Sequence, residues 1–466
     1  PPTASFTYSP SSPAAGQPVT FDASASSDTD GSIASYEWDF NADGDADATG
    51  QTTSRVYETN SDYRVKLTVT DDGGETAVAS EVVTVGGDID IGGPAPIASI
   101  PVDSCGVTID MPGTYELTGD LTLTRDDATC INVTASGVFL DGNGHDIGRK
   151  NLSIGGTTGV NVNGTDDVLQ NVEVRNLSFN GQGTSVNFVS TENATLTDIT
   201  VGGAGDGVAV HGGNVTISNS TVDSLFPFRI QGGAHGESAT VSISNTTAIA
   251  THRGLSATEL SNITIVDSEV RVDHHWGTVG FWFDGGMATV VRTNVISTTE
   301  DPFGPAFSGV GDVDLTVRSS SIANVTHGIE VENSTLLVAD SSFKNVHRNA
   351  VNVTNSTATV RSNVILRAHQ GTDQLNRDDG VIQISNSTAL VTDNTITNAT
   401  EDGIVFESSG GSASNNSLSG VEGIGITVEG WSYRFDGTSV PSVEDYPTVT
   451  LTNNTIARGA VGAALY

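Results

Sequence analysis

The sequence predicts an all-β protein in two parts: an N-terminal immunoglobulin-like β-sandwich over residues 1–87 and a right-handed parallel β-helix solenoid over residues 103–466. Residues 88–102 are predicted to be a linker because they are rich in glycine and proline. Two observations carry this prediction. Apolar and polar residues alternate between short turns in the first part, and one apolar pattern returns about every 22 residues in the second.

The N-terminal segment has the pattern of a small antiparallel sandwich, with turns rich in Ser, Asp and Gly between its alternating stretches. Three motifs, GQPVTFDAS at 16–24, YEWDF at 36–40 and YRVKLTVTDDG at 63–73, resemble the polycystic kidney disease (PKD) domain and follow its order. The resemblance covers the whole segment. It implies an extracellular spacer or adhesion module that carries no catalysis.

Oxygen-bearing side chains occupy every second position from Asp39 of the second motif onward: Asp39, Asn41, Asp43, Asp45 and Asp47. Calcium prefers carboxylate and amide oxygens as ligands. An EF-hand loop carries an acidic residue at its twelfth position, where this chain has Gly50. The pattern therefore predicts either a calcium site in the N-terminal domain, the one cofactor that we expect, or a solvated acidic turn.

A single pattern of strand, polar turn, strand and Gly-apolar-x-apolar recurs beyond residue 130. The first apolar residue after the polar turn marks each repeat: Phe179, Val201, Val222, Ala248, Val270, Ile296, Ile322, Phe343, Ile365, Ile396, Leu418 and Ile456. One repeat has too little apolar surface to bury alone, so the repeats must stack as rungs of a solenoid. Three short strands per repeat describe a parallel β-helix with rungs about 4.8 Å apart.

Two motifs at the start of the solenoid, SCGVTIDMPGTYEL at 104–117 and LDGNGHDI at 140–147, resemble the entry coils of the pectate-lyase-like β-helix superfamily, especially its NosD-type surface members. The resemblance runs to the end of the chain. It implies the fold but no single function, since lyases, hydrolases, adhesins and viral spikes share this architecture. The polar residues of the marker turns are expected to stack as one ladder, with some of its asparagines pointing inward: Asp198, Asn219, Asn245, Asp267, Asn363, Asn394, Asn415 and Asn453.

The chain has two cysteines, Cys105 and Cys130. In an exported protein they are expected to form one disulfide that pins the N-terminal cap of the solenoid and stabilises it by about 3 kcal/mol. The alternative is a pair of buried thiols.

The charge is strongly one-sided, with 56 Asp and Glu against 19 Lys and Arg and a formal net charge of -37. Such a surface repels phosphate backbones and anionic lipids, so we expect no nucleic-acid partner. Acidic residues spread along the whole chain resemble those of proteins from salt-loving archaea. No run of 18 apolar residues occurs, which predicts no transmembrane segment in this chain. The start at Pro1 without Met suggests a processed or truncated chain.

Seventeen Asn-x-Ser/Thr triplets occur, all of them beyond the N-terminal domain. Six of them lie eight or ten residues before a marker, where the chain is expected to turn at the surface: Asn193, Asn214, Asn262, Asn333, Asn355 and Asn386. We expect them to line one edge of the rod and to carry N-glycans, as such triplets do on exposed loops of exported proteins. The alternative is an unmodified polar turn.

Histidines and charges collect in a different turn, just before the Gly-apolar-x-apolar strand. The candidate ligand-binding residues are His252, His274, His275, Trp276, His327 and His347. Stacked rungs are expected to align them as a stripe that contacts carbohydrate, with Trp276, Trp282 or Trp431 stacking on a sugar ring. The alternative is a solvated turn beside aromatic core residues.

An enzyme would need two carboxyl groups about 5–10 Å apart across a glycosidic bond. The candidates for a catalytic role are Asp378, Asp379, Glu401, Asp402, Arg253 and Arg348. Polygalacturonase-like hydrolases carry Asp-Asp before His-Gly and end on Arg-x-Lys, an order that this sequence does not follow. We therefore favour a function without catalysis.

These observations lead us to expect an extracellular or cell-surface structural or adhesive glycoprotein of a halophilic archaeon, which binds carbohydrate or neighbouring copies of itself. A polysaccharide lyase or glycoside hydrolase acting on acidic polysaccharide is the alternative. A viral receptor-binding spike is a third interpretation, since spikes use the same rod as a trimer.

Overall fold

A computed structural model describes residues 2–9, 13, 18–28, 31–40, 46–57, 61–85, 99–124, 128–149, 156–165, 167–233, 237–258, 261–272, 279–297, 304–368, 380–429, 448–457 and 461–465. These residues form strands and turns, without a helix. The chain divides into two compact units, Pro1–Ile97 and Ala98–Tyr466. The prediction of an all-β protein is confirmed.

Unit 1 is a β-sandwich of two antiparallel sheets, ordered β1-β2-β5 and β4-β3-β6-β7. Its strands are β1 (Thr7–Ser9), β2 (Pro18–Asp22), β3 (Ile33–Asp39), β4 (Ala48–Thr49), β5 (Thr52–Val56), β6 (Ser61–Asp71) and β7 (Thr76–Val85). Inward positions of both sheets meet around Trp38, which packs against Phe6 and Phe21 and donates a hydrogen bond from Nε1 to the Gly50 carbonyl. This alternation of buried and exposed side chains along the strands produces the sandwich that the sequence predicts.

Unit 2 is one parallel sheet of 37 strands wound into a right-handed solenoid. Its strands are β8 (Ile100–Val102), β9 (Val107–Ile109), β10 (Gly113–Leu117), β11 (Leu121–Leu123), β12 (Thr129–Val133), β13 (Val138–Asp141), β14 (Asp146–Arg149), β15 (Thr158–Asn163), β16 (Leu169–Gln170), β17 (Glu173–Asn180), β18 (Thr184–Ser218), β19 (Thr221–Gln231), β20 (Ala239–Ser244), β21 (Thr247–Ala250), β22 (Arg253–Thr258), β23 (Asn262–Val266), β24 (Glu269–Val272), β25 (Val279–Val291), β26 (Asn294–Ser297), β27 (Pro305–Arg318), β28 (Ser321–Ala323), β29 (His327–Glu332), β30 (Thr335–Ala339), β31 (Ser342–Val346), β32 (Val351–Thr354), β33 (Thr357–Arg361), β34 (Val364–Ala368), β35 (Gly380–Ser385), β36 (Thr388–Thr392), β37 (Thr395–Ala399), β38 (Asp402–Glu407), β39 (Gly410–Ser414), β40 (Ser417–Val421), β41 (Ile424–Glu429), β42 (Val449–Thr452), β43 (Thr455–Ala457) and β44 (Val461–Leu465).

Each rung contributes a strand to three faces, and every strand pairs with the equivalent strand of the next rung. Face 1 includes β30, β33 and β36; face 2 includes β31, β34 and β37; face 3 includes β29, β32 and β35. The longer strands β17, β18, β19, β25 and β27 run round a corner from one face to the next. Side chains alternate between the core and the surface, so equivalent positions of successive rungs form straight columns about 4.8 Å apart.

The predicted repeat agrees with the register at all but one of its marker positions. On face 2 Val201 pairs with Val222, and Phe343 pairs with Ile365. The exception is Ile296, which is half-exposed and pairs with Arg271, whereas its neighbour Val295 pairs with Val270 and is fully buried. The marker was assigned one residue too late because two apolar residues are adjacent there.

The solenoid begins earlier than the sequence predicts. Ile100–Val102, within the predicted linker, forms β8 and pairs in parallel with Tyr115–Leu117 of β10. Residues 88–98 of that linker lie outside the described residues. The Ile-Pro-Val segment is too short to show a period, so only its pairing identifies it as a strand.

The predicted polar ladder consists of two adjacent columns at the corner before face 2. The outer column has a positive φ and comprises Asp198, Asn219, Asn245, Asp267, Arg292, Ser319, Asp340, Ser362, Asp393, Asn415 and Asn453. Asn and Asp tolerate this left-handed conformation best among residues with a side chain. Asn219, Asn245, Asn415 and Asn453 are exposed, so the expectation that these asparagines point inward is wrong.

The inner column, one residue later, is the buried ladder, and it includes the predicted members Asn363 and Asn394. Its members are Ser220, Thr246, Ser268, Thr293, Ser320, Ser341, Asn363, Asn394 and Asn416. The backbone N–H of Asn363 donates to Oδ1 of Asn394 at 3.0 Å, and Nδ2 of Asn394 donates to the Val360 carbonyl at 2.8 Å. The side chains thereby satisfy backbone groups that the tight corner leaves unpaired.

Cys105 and Cys130 form the predicted disulfide. Cys130 is fully buried in β12, and the N–H of Gly106 donates to its carbonyl at 2.8 Å. The bond joins the first coil to the solenoid core. The prediction of the disulfide is confirmed, and its role in pinning the cap stays a prediction.

We expect Asn394→Ala to lower the free energy of unfolding by about 2–5 kcal/mol, because the Asn363 N–H and the Val360 carbonyl then remain buried without partners. Urea denaturation measures the loss. The control is Asp393→Asn in the neighbouring outer column, where the left-handed turn is kept and the change should be small. Equal midpoints for the two variants would contradict a stabilising role of the ladder.

Reducing the disulfide should lower the free energy of unfolding by about 3 kcal/mol, because the bond closes a loop with a sequence separation of 25 in the unfolded chain. The measurement is urea denaturation with and without a phosphine reductant. A double Cys105→Ser, Cys130→Ser variant serves as control and should respond to urea identically in both conditions. A wild-type urea midpoint that does not change when the reductant is added would refute this prediction.

Candidate functional site

The surface of face 3 carries one continuous column of outward side chains, which we call the face-3 column. Its members pair one to the next along the rod: Arg229, Ser256, Trp282, Ser308, Glu330, Asn352 and Gln383. Long side chains therefore alternate with short ones, and Arg229, Trp282 and Glu330 follow one another at two-rung intervals of about 9.6 Å. This column combines aromatic, basic and acidic groups.

An aromatic and charged cluster lies at the start of the column. The Phe226 ring stacks on His252, with ring centres 5.5 Å apart and planes 7° apart, and the Arg229 guanidinium lies 4.7 Å above the same ring. Arg229 also pairs with Asp206 across 3.1 Å. Burial raises the pKa of Asp206 above its ordinary value, and the nearby Arg229 partly opposes that shift.

A second aromatic group follows two rungs along the rod. Trp282 is half-buried and its indole faces outward, between Phe281 and Phe283, which point into the core. The Arg253 guanidinium lies 4.5 Å from the centre of the Trp282 ring. A cation over an indole fixes both side chains and leaves the guanidinium N–H groups at the surface.

A third group surrounds Glu330, two further rungs along. Its Oε1 lies 3.4 Å from Nδ1 of His327, and Asn352 on the next rung donates a hydrogen bond to its carboxyl group. Burial raises the pKa of Glu330, while the Asn352 hydrogen bond and the nearby Arg348 act in the opposite direction. Glu332, two residues later on the same side of β29, is exposed.

The residues of the predicted histidine stripe do not form one site in the structure. Arg253, His327 and Asp402 occupy equivalent positions at the start of their face-3 strands, as the stripe predicts. They do not share one pocket, because six rungs, or about 29 Å, separate Arg253 from Asp402. His347 and Arg348 lie in the turn one rung beyond His327. His274, His275, Trp276, Trp431, Asp378 and Asp379 lie outside the described residues.

Asp402, a predicted catalytic candidate, has structural contacts on both carboxylate oxygens. Oδ1 accepts a hydrogen bond from the N–H of Ile424 at 2.7 Å, and Oδ2 accepts one from Oγ1 of the buried Thr427 at 2.6 Å. These contacts join two neighbouring rungs. Its neighbour Glu401 is half-exposed in the turn before β38.

All six selected glycosylation candidates are exposed, and they fall in two columns at the corner before face 1. Asn214 and Asn262 pair through Thr240 at the start of their strands. Asn333, Asn355 and Asn386 lie two residues earlier relative to the strand, in left-handed turns. Because the rungs stack, the second group lines a shallow groove of about 850 Å³ together with Asp312 and Ser408.

The Asn-Ser-Thr sequence of this second group has a structural explanation. The asparagine adopts the left-handed turn, the serine is buried, and the threonine begins the face-1 strand. The Ser356 N–H donates to Oγ of Ser387 at 2.9 Å, and Oγ of Ser356 donates to the Thr354 carbonyl at 2.6 Å. Part of the excess of such triplets therefore reflects the geometry of the corner.

The predicted calcium ligands are described only in part. Asn41, Asp43 and Asp45 lie outside the described residues. Asp39 is buried at the end of β3, and Oδ2 of Asp47 accepts a hydrogen bond from the Phe40 N–H at 2.8 Å. The calcium site stays a prediction.

The sequence alone did not identify Phe226, Arg229, Glu330 and Glu332 as site residues. Arg229 and Glu330 occupy the outward x position of the apolar-x-apolar strands, while Phe226 lies three residues before Arg229 and Glu332 lies two residues after Glu330. Aligning the repeats on their face-3 strands, instead of on the markers of face 2, would have placed Arg229 and Glu330 in one column. The described part of the chain contains no helix long and apolar enough to cross a membrane.

Comparison with solved structures shows short matches of high identity and long matches of low identity. A structure of carbohydrate-binding modules from the β-sandwich superfamily is 41% identical over 18% of this chain, with a TM-score of 0.17, and the match spans 34% of that chain. The PKD1 domain of Epp from Vibrio anguillarum is 33% identical over 18% of this chain and 92% of its own length, with a TM-score of 0.16. A tailspike protein of E. coli bacteriophage HK620, in complex with a hexasaccharide, is 10% identical over 78% of this chain and 72% of its own, with a TM-score of 0.37.

Family comparisons cover both units. Residues 1–85 match the PKD domain family, and residues 307–466 match the family described as a right-handed β-helix region. The first match covers the sandwich and the second covers the part of the solenoid that includes Glu330. The chain therefore carries a PKD domain followed by a right-handed parallel β-helix.

Proposed function

We propose that this chain is an extracellular polysaccharide-binding protein whose adhesive surface is the face-3 column. One observation carries the proposal: Phe226 and Trp282 lie two rungs apart on the same outward face, each with an arginine guanidinium over its ring. Arginines lie over these rings and His252 stacks on Phe226, so the sugar contact that we propose uses the apolar ring surface that these partners leave exposed. The adjacent guanidinium groups donate to sugar oxygens at the rim of that contact.

The charges on this face favour an acidic polysaccharide. The chain has 19 Lys and Arg residues and a net charge of -37, yet Arg229, Arg253 and Arg348 all lie along the face-3 column or in the turn beside it. Guanidinium groups bind carboxylates through paired hydrogen bonds. We therefore propose uronate-like carboxylates on the ligand as additional partners of these arginines, beside the contacts of Arg229 with Asp206 and of Arg348 within the chain.

The direction of the column favours an extended ligand that lies along the rod. Trp282 follows Arg229, and Glu330 follows Trp282, at intervals of about 9.6 Å. An extended polysaccharide laid in this direction would meet Arg229, Trp282 and Glu330 in turn.

The remaining predictions from the sequence fit this proposal. The PKD domain would act as a spacer that holds the solenoid away from a surface, and the acidic composition would keep the protein soluble in the molar salt of a halophilic archaeon. Binding to neighbouring copies of the chain stays a separate prediction. The mass of the protein in solution tests it, and a trimer would favour the viral spike.

We expect Trp282→Ala to weaken binding to an acidic polysaccharide such as polygalacturonate, alginate or hyaluronan at least about tenfold, because it removes the stacking ring and the support of Arg253. Titration calorimetry at native salt measures the affinity. The matched control is Arg361→Ala on face 1, which removes an arginine distant from the column and should leave the affinity unchanged. Equal affinities of wild type and Trp282→Ala for every polysaccharide that binds would refute the proposed surface.

We further propose N-glycans on the exposed asparagines at the face-1 corner, and the rung spacing restricts their pattern. Asn355 lies one rung, or about 4.8 Å along the rod, from both Asn333 and Asn386. This spacing is too small for three branched glycans. Glycopeptide mass spectrometry on protein from the native host should find Asn355 unoccupied when both neighbours are occupied. Asn214 and Asn262, separated by the rung of Thr240, are the internal control and can be occupied together. Simultaneous glycans on Asn333, Asn355 and Asn386 would contradict the stacked geometry.

A further inference from the structure

The outward surface of face 1 carries little of the negative charge of this chain. Its outward side chains form three straight columns along the strands from β20 to β39, and each strand contributes its first, middle and last residue. Among these described positions Asp314 is the one acidic residue, although the chain has 56 Asp and Glu. Another acidic molecule can therefore approach this face with little charge repulsion.

Apolar side chains lie among the short hydroxyl-bearing ones on this face. Met287 in the first column is 53% exposed, and Leu390 in the middle column is 42% exposed. Leu337 in the middle column and Val291 in the last column are half-exposed. Water that contacts large apolar side chains is released when a partner covers them, which favours association.

The two ends of one strand on this face carry opposite charges. Asp314 begins the face-1 part of β27 and Arg318 ends it, so both side chains point outward, in the first and the last column. Four residues span about 13 Å along a strand, which separates the two charges. Within the described part of the chain neither side chain makes an ion pair. The face thus has one charge of each sign available on its opposite edges.

A twofold axis parallel to the rod matches these features. Two copies packed face 1 to face 1 about this axis align rung with rung, and the first column of each copy faces the last column of the other. Asp314 then faces Arg318 of the second copy, and this contact occurs twice by symmetry. Met287 faces Val291 of the second copy in the same way. Both the charges and the apolar side chains are therefore self-complementary.

We propose that face 1 is an interface between two copies of this chain, packed side by side and parallel about a twofold axis along the rod. The middle columns face each other in this pair, so Leu337 and Leu390 each contact their own equivalents. A twofold axis perpendicular to the rod would instead set first column against first column, where Asp314 meets no cation. The parallel arrangement is the one that the charges favour.

The area of the face is sufficient for a weak dimer. The strands β20, β23, β25, β27, β30, β33, β36 and β39 contribute eight rungs at about 4.8 Å, and each contributes five residues at about 3.3 Å. The footprint is then about 600 Å² on each copy, or about 1,200 Å² in total. This is the lower end of the range for specific interfaces, so we expect a dimer that dissociates on dilution.

The other two faces are less suited to such a pair. Face 3 presents Glu332, Glu407 and Glu429 in one outward column, which would face the same carboxylates of a second copy. On face 2 the opposite charges of Glu269 and Arg271 already bind each other. Pairing through face 1 leaves the face-3 column exposed, so this inference is independent of the polysaccharide proposed for that column.

An N-glycan at one position would prevent the pairing. Asn262 lies in the first column of face 1, one rung before Met287. A branched glycan on Asn262 would hold the two faces apart. The dimer that we propose therefore forms from chains without a glycan at this position.

Sedimentation equilibrium of the full chain, made without N-glycans, tests the interface. Molar salt is used because it shortens the Debye length to about 3 Å and screens the net charge of -37 on each copy. We expect a dimer, and we expect Leu390→Asp to raise its dissociation constant at least about tenfold, because like charges then face each other across the axis. The matched control is Leu366→Asp on face 2, a leucine of similar exposure, which should pair like wild type.

A charge exchange tests the parallel arrangement. Asp314→Arg and Arg318→Asp should each weaken the dimer, because each places two like charges opposite one another. The double variant Asp314→Arg, Arg318→Asp should restore the wild-type dissociation constant, since opposite charges face each other again. The measurement uses the lowest salt concentration at which wild type still pairs, where screening is least.

Several results would overturn this inference. A wild-type chain that stays monomeric at every concentration and salt would do so, as would a trimer. A dimer that Leu366→Asp disrupts and Leu390→Asp leaves intact would assign the interface to face 2 instead. A double charge variant that pairs no better than the single variants would exclude the parallel twofold. None of these results affects polysaccharide binding, which calorimetry with Trp282→Ala tests separately.

Discussion

The hydrogen bonding between equivalent strands of successive rungs is the constraint on which the rest of this structure depends. Each rung gives its backbone donors and acceptors to the rungs before and after it, and this fixes the register along unit 2. Side chains that are far apart in the sequence then become neighbours at about 4.8 Å. Core columns, corner ladders and the face-3 column all follow from this one repeat.

The corners show how closely sequence and backbone are coupled in such a fold. A residue in the left-handed conformation must reverse the chain, and a buried polar residue after it must satisfy the backbone groups that the corner leaves unpaired. Asp393 and Asn394 divide these roles before face 2, and Asn355 and Ser356 divide them before face 1. The same residue types would otherwise be interpreted as glycosylation signals, so composition alone does not separate a structural asparagine from a modified one.

The face-3 column differs from these ladders because it carries large aromatic and charged side chains, Arg229, Trp282 and Glu330, in place of short polar ones. Phe226 and Trp282 keep large apolar rings at the surface, which costs solvation free energy, and Arg229 and Arg253 lie over those rings. A strand packs well without such residues, as the short Ser256 and Ser308 of the same column show. This departure from a purely structural repeat is what supports a ligand along face 3.

The sequence by itself determined the two-part all-β architecture, the disulfide and the stacking of rungs, because hydrophobic period and repeat length are local properties of the chain. It also located part of the site, through Arg253, His327 and Trp282. It did not determine which residues become neighbours: Val295 instead of Ile296 on the inner side of face 2, and Glu330 beside Asn352 and Arg348 on the outer side of face 3. Those contacts depend on insertions of different length between rungs. Only the backbone pairing of the folded solenoid determines the register of the strands on either side of each insertion.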